Sequence, residues 1–287
     1  MTPAVRVLEV LAATGLVTVQ DAGRPGFAHL GVPRAGWLDE PAALLANRLV
    51  GNEASAAVLE VLGTVAVRPA GPTWVAVTGA CSPVSVAGRA VAFGEPVHVP
   101  AGAVLRVDLP MTGVRSYLAV AGGIAVEPVL GSRATDTLAW VGPARVEGGA
   151  RLPIGAAAGE PQALDTPRAP MVSALRLLPG PRADWFDGDP LDALVAGPWT
   201  VDADSNRVGL RLDGPALRRH PAYVGRELAS EGMVLGAVQV PPSGKPVVFL
   251  ADHPVTGGYP VAAVVHPDDL WMCAQVGPGE RLRFRRG

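Results

Sequence analysis

Lysine is almost absent from this 287-residue chain: of its 24 lysine and arginine side chains only Lys245 is a lysine. With an excess of Ala, Val, Gly and Pro, that bias reads as GC-rich coding. Set against 26 Asp and Glu, the cations leave a formal net charge of -2, which excludes broad nucleic-acid backbone binding and a polybasic membrane surface. Cysteine is scarce too. Cys81 and Cys273 stand in unrelated contexts without C-x-x-C spacing, so neither a zinc site nor a disulfide framework is indicated. The five histidines sit singly, and no metal site is expected. Long apolar runs are missing, and the opening MTPAVRVLEVLAATG lacks a basic leader and an export pattern, so the expected location is cytoplasmic with no membrane partner. There is no G-x-x-x-x-G-K-[ST] loop, G-x-S-x-G elbow, H-E-x-x-H pair or calcium-loop ladder.

What is present is short valine-rich runs punctuated by Gly and Pro, the pattern of many short strands. Candidates are Val5–Val10, Leu16–Val19, Val65–Val67, Trp74–Thr78, Val84–Val86, Val97–Val99, Val104–Leu109 and Ser116–Val120. The second half offers Leu175–Leu178, Val208–Leu212, Val234–Val240, Val247–Leu250, Val261–Val265 and Leu282–Arg285. Helical signals are confined to Pro41–Val50, Arg182–Phe186, Leu191–Val195 and Asp268–Cys273, too short for parallel βαβ units. The expected fold is mainly β, barrel or sandwich-like, in two β-rich subdomains. The first spans 1–160, the second 171–287, and the Pro- and Ala-rich stretch 155–170 is the linker. Pro100–Val107 and Pro278–Phe284 each read as a turn feeding a strand, a unit too common to establish a duplication.

The stretch Thr18–Asn52 organises the chain. Its strand gives way to a loop in which Gln20, Asp21, Arg24, His29 and Arg34 are held apart by Gly23, Pro25, Gly26, Gly31, Pro33 and Gly36. Residues with restricted or unusual backbone angles give such a loop one shape and present polar groups reproducibly. Asp39 then caps a helix over Ala42–Val50, with Ala42, Leu45, Ala46 and Leu49 on its inward face and Gly51 as its stop. The plain structural alternative is an Ω-loop whose Asp21 and Arg24 pair with each other or with backbone.

Three further constellations carry polar groups. In Ser205-Asn206-Arg207 a guanidinium fork at a turn suits a carboxylate; the alternative is an Asn turn with Arg207 solvated or paired. Gln239 ends a strand before Pro241-Pro242-Ser243-Gly244. In Asp252-His253-Pro254-Val255-Thr256-Gly257-Gly258-Tyr259-Pro260 a strand delivers a carboxylate, a potential base, into a loop whose backbone N–H groups can face an anion or oxyanion; an Asx-turn is the alternative there.

Taken together, Thr18-Val19-Gln20-Asp21-x-Gly23-Arg24-x-Gly26, Leu45-Ala46-Asn47-x-Leu49-Val50-Gly51-Asn52, Leu59-Glu60, Arg115 to Ile124, Ser205-Asn206-Arg207-x-Gly209, Gln239-Val240-Pro241 and Thr256-Gly257-Gly258-Tyr259-Pro260 resemble the family of the 5-oxoprolinase C subunit. It is also called the biotin-dependent carboxyltransferase or allophanate hydrolase subunit 2 family. The matches run through nearly the whole chain in order. The resemblance implies a cyclophilin-like β-barrel and a smaller partner, the B subunit; together with a third, the A subunit, these open 5-oxoproline to glutamate at the expense of ATP. It equally brings in the carboxyltransferase half of a biotin-dependent urea carboxylase, and a non-catalytic antagonist of a kinase inhibitor.

Each enzymatic branch handles a planar, poorly electrophilic amide or urea carbonyl, which needs oriented donors and an anchored anion. The resemblance therefore points to Asp252, Asp21, Arg207 and Gln20 as catalytic. It points to Arg24, His29, Ser205, Asn206, Gln239, Thr256, Gly257, Gly258 and Tyr259 as substrate-binding. Lys245 lies in Ser-Gly-Lys-Pro without a flanking methionine, so this chain is not expected to carry biotin, and ATP is expected to be shared with partner subunits. The segments Pro33–Trp37 and Asp252–Val255 depart from the family pattern and leave the substrate open.

Overall fold

The structure, a computed structural model, describes residues 6–163 and 173–287; residues 164–170 of the expected linker lie outside them. The chain separates into two compact units. One comprises the described residues within Met1–Arg24, Ala35–Asp136 and Trp140–Pro170, the other those within Pro25–Arg34, Thr137–Ala139 and Met171–Gly287.

The first unit stacks two sheets and a helix. Its five-stranded sheet orders Leu16–Gln20, Val58–Leu62, Thr112–Val120, Thr73–Cys81 and Val97–Val99. The six-stranded sheet orders Arg151–Pro153, Val7–Ala13, Val65–Pro69, Leu105–Val107, Val84–Val86 and Arg89–Val91. Alternation along the strands decides what each face meets. Leu118, Val120, Val75 and Val77 join Leu8, Val10, Val67 and Leu105 in one core, while Tyr117, Ala119, Ala76 and Val58 turn to the helix.

That helix, α1 (Glu40–Leu49), is capped as the sequence indicates: the Asp39 carboxylate accepts from Ala42 N at 3.0 Å. Ala42, Ala43 and Ala46 lie against Ala76 and Ala119, small residues on both sides that let the backbones approach closely. Leu45 is partly buried and packs against the same cluster, which Ala43 joins as well. Asn47 and Asn52 finish the turn. Asn47 Nδ2 donates to Ala56 O, Asn52 Nδ2 to Asn47 Oδ1 and Val120 O, and Gly122 N to Asn52 Oδ1.

The strand Val58–Leu62, inside the five-stranded sheet, escaped the sequence pattern because Glu60 interrupts its apolar run. Glu60 is nonetheless 2% exposed. It accepts from Tyr117 Oη at 2.7 Å and Leu38 N at 3.3 Å, and Arg115 Nε lies 3.6 Å away. The Tyr117 hydroxyl also accepts from Asp39 N at 2.8 Å, and burial pushes its pKa well above the usual phenol range.

In the second unit eight strands run Arg281–Leu282, Trp199–Val201, Gly209–Asp213, Val247–Phe249, Ala237–Gln239, Val261–Val265, Leu175–Pro179 and Phe284–Arg286. The first and last belong to one continuous segment at the end of the chain, so the sheet returns on itself as a barrel and leaves few open edges. All pairings are antiparallel except Leu175–Pro179 with Phe284–Arg286. The mainly β, barrel-containing class read from the sequence is the one observed. The helices are as short as expected: α2 (Pro190–Ala196) and 3-10 turns at Ala183–Trp185 and Pro267–Ala274 replace the segments at Leu191–Val195, Arg182–Phe186 and Asp268–Cys273.

Tyr117→Phe removes the hydroxyl that links Glu60 to Asp39 N and should lower the unfolding free energy by about 1–3 kcal/mol. Urea titration checks this, and an unchanged midpoint would show that the hydroxyl does not secure the start of α1.

Candidate functional site

The loop that follows Leu16–Gln20 is closed at its neck, where Trp37 N donates to Asp21 O and Trp37 Nε1 to Gln20 O. Gly36 sits there at φ 92°, and a Cβ on it would stand 2.9 Å from Gly23 N. Asp21, 7% exposed, accepts from Gly23 N at 2.9 Å, Ser132 Oγ at 2.5 Å and Arg133 N at 2.5 Å. Arg24 donates to the carbonyls of Val129 and Ala134. Both side chains thus engage backbone inside the first unit, as an Ω-loop requires. Gln20 is fully buried. Its Nε2 donates to Thr18 Oγ1 and Thr135 O, while its Oε1 has no hydrogen-bond partner among the described residues. His29 belongs to the other unit, where its Nδ1 lies 3.1 Å from Gly26 O on an exposed turn.

In the second unit Arg207 and Asp252 form a fork-to-fork pair, Nε to Oδ2 at 2.9 Å and Nη2 to Oδ1 at 3.0 Å. Thr137 adds its N–H and Oγ1 to Oδ2 at 2.9 and 2.7 Å. The guanidinium is 1% and the carboxylate 0% exposed. Four donors converge on one carboxylate and fix its orientation, which suits positioning. Ser205 and Asn206 form the turn beside it: Asn206 Oδ1 accepts from Val208 N, and Ser205 Oγ exchanges hydrogen bonds with Arg211. His253 stacks on Phe249 at 5.7 Å, and its Nδ1 lies 2.8 Å from the Pro254 carbonyl, which makes that nitrogen the protonated one. Burial lowers its pKa.

Gln239, Gly257, Gly258 and Tyr259 come together. Gln239 Nε2 donates to Tyr259 O at 3.2 Å, and a Cβ on Gly257 would stand 2.6 Å from that nitrogen. Thr256–Gly257 pairs with Glu231–Gly232, with Thr256 exposed to solvent. Gly258 and Tyr259 line a cavity of about 1040 Å³ together with residues of the segment Ala216–Ser230. Sequence reasoning passed over that segment because it carries neither strand nor helix periodicity. Its one available signal was the placing of Tyr223 between Arg218-Arg219 and Arg226 in a chain with few aromatics. Arg219 lies over the Trp185 ring at 5.4 Å, and Tyr223 stacks on Trp185 at 4.5 Å.

Arg207→Ala should cost roughly 3–5 kcal/mol of stability, because it leaves the Asp252 carboxylate buried without its counter-charge; thermal or urea unfolding measures it, and a near-neutral result would refute the pairing. His253 gives a pH dependence. The unfolded chain takes up a proton near pH 6.5, but the buried imidazole titrates lower, so stability falls as pH drops from about 6.5 towards the folded value. His253→Gln should flatten the decline in urea midpoint between about pH 7 and about pH 5.

Comparison with known proteins bears on the family and the fold. The family model described as carboxyltransferase domain, subdomain A and B, matches residues 30–286. The 5-oxoprolinase C subunit of Escherichia coli (strain K12) is 40% identical over 283 residues, covering 97% of this chain and 90% of that protein. The crystal structure of TTHA0988 superposes with a TM-score of 0.88 at 38% identity, covering 99% of this chain and 56% of that one, so the chain spans little over half of it. The K. lactis urea amidolyase aligns with a TM-score of 0.89 at 29% identity over 98% of this chain and 18% of its own length. Matched over most of its length by that model and by a relative of similar extent, the chain belongs to the carboxyltransferase-domain family, subdomains A and B, and is kin to the 5-oxoprolinase C subunit.

Proposed function

We propose that this chain is the C subunit of an ATP-dependent 5-oxoprolinase, a hydrolase complex that opens the 5-oxoproline lactam to glutamate together with partner subunits. Near full-length kinship to the Escherichia coli protein of that name carries the reading. Within the second unit, the cavity side formed by Gly258 and Tyr259 is assigned to the substrate, with Gln239 holding the Tyr259 backbone from behind it. Arg207 and Asp252 act as the brace that fixes the loop leading to it, held by Thr137 and by the Asp252 N–H donating to Arg207 O. Gln20, Asp21 and Arg24 shape their own loop in the first unit, where Gln20 is fully buried. ATP is assigned to the assembled complex, shared with the partner subunits, and not to a site on this chain alone.

A second reading is the carboxyltransferase component of a urea carboxylase, favoured by the fit to the K. lactis urea amidolyase. Among the described residues no helix is long and apolar enough to cross a membrane, and the complex is assigned to the cytoplasm.

The test is glutamate release from 5-oxoproline and ATP by the co-expressed subunits, each omitted in turn. Activity should vanish when this chain is left out. Full activity without it, in an assembled mixture of the others, would overturn the reading. Urea-dependent, biotin-linked ATP turnover would move the assignment to the second, and silence in both assays to a binding role.

A further inference from the structure

Several arginines of the second unit hold a carboxylate. Arg176 pairs with Asp269 at 2.6 Å, Arg207 with Asp252, Arg286 with Asp189 and Asp192, and Arg182 with Glu231. Arg219 is different. Its Nη2 donates to the Val240 carbonyl at 3.1 Å, its Nε is buried, and among the described residues that Nε has no hydrogen-bond partner. Among the acids of this unit, Glu231 is taken by Arg182, and Asp184 accepts from the Tyr223 hydroxyl at 3.2 Å. A partly buried guanidinium without a counter-ion is costly, and here burial lowers its pKa while Tyr259 opposes that shift.

This group stands in the wall of the 1040 Å³ cavity, together with Arg218 and Arg226; Glu227 is the single acid among the lining residues. The volume lies at the top of the range of about 300–1000 Å³ common for small-molecule sites, so size selects little and charge selects more. Around the cations the lining is neutral, with Leu217, Leu228, Tyr223 and Tyr259 offering apolar or aromatic surface. The Arg219 guanidinium keeps N–H groups beyond the one given to the Val240 carbonyl, which can meet a ligand's oxygens, and Tyr259 in the same lining carries a hydroxyl as a further donor.

We propose that Arg219 is the anchor for the carboxylate of a small amide-bearing organic acid bound in this cavity, with Tyr259 in the same lining. The assignment deepens the proposed function and rests on it for the identity of that acid: in 5-oxoproline the anchored carboxylate would leave the lactam free to face other lining residues such as Gly258 and Ser230. It moves the anion-holding role away from Arg207, whose fork is taken by Asp252, and from Arg24, which donates to backbone carbonyls.

Calorimetric titration of the full chain tests this, with 5-oxoproline, its neutral carboxamide, N-acetylglycine and inorganic phosphate as probes. The carboxylate should bind at least about tenfold more tightly than the carboxamide, and Arg219→Gln should lose about tenfold or more, the worth of one charge-assisted hydrogen bond. The comparison of acid with carboxamide uses the unmodified chain and stands even if the variant fails to fold. Equal binding of acid and carboxamide, affinity unchanged in Arg219→Gln, or no carboxylate binding at all would each overturn the proposal. Phosphate displacing the acid at a lower concentration would overturn it in favour of a phosphate site. Arg219-dependent binding of N-acetylglycine without binding of 5-oxoproline would uphold the anchor while removing the oxoprolinase reading.

Discussion

A β-sheet is bounded by the backbone groups along its edges, which must find partners or be covered. In the second unit one short segment at the end of the chain meets that demand twice, since Arg281–Leu282 pairs with Trp199–Val201 and Phe284–Arg286 with Leu175–Pro179. Closure of this kind holds the intervening strands in register. With the register held, Val247–Phe249 leads through Leu250 to Asp252, and Gly209–Asp213 stands beside it with Arg207 just ahead of its first residue. The Leu250 N–H to Val208 O bond and the Asp252 N–H to Arg207 O bond extend the ladder into the loops. The salt bridge of those two side chains is therefore a consequence of sheet register.

Buried charge is handled in three ways in this chain. Glu60 lies under α1 and is satisfied by hydrogen bonds from Tyr117 and Leu38 N, with Arg115 near. Asp252 is saturated by Arg207 and Thr137. Arg219, partly buried, has an aromatic face and a backbone carbonyl but no carboxylate partner among the described residues. A low-dielectric setting makes satisfied groups rigid and incompletely satisfied ones costly. The first two accordingly organise the fold, and the third is the group with capacity left to bind.

The Asp39 cap, the extent of α1, and the strands Val84–Val86, Val97–Val99 and Val261–Val265 were legible because each depends on neighbours in sequence. Val58–Leu62 was not, since burying Glu60 inside a sheet depends on Tyr117 and Arg115, which are remote along the chain. Asn47 and Asn52 could be read as part of a pattern, but their purpose lies in the carbonyls of Ala56 and Val120 and the N–H of Gly122. The turn at Ser205–Asn206 took the plain structural form that its residue types allowed.

The sequence by itself determined the mainly β class, the short helices, the cap at Asp39 and the family to which the chain belongs, because composition, periodicity and motif order are written locally. Only the tertiary structure decided which arginine is paired with a carboxylate and which is not. The motif singled out Arg207 and passed over Arg219, but neither stretch of letters says whether its guanidinium has a carboxylate partner. Their difference is the presence or absence of a carboxylate delivered by strands remote in sequence, and that is fixed by sheet register and packing alone.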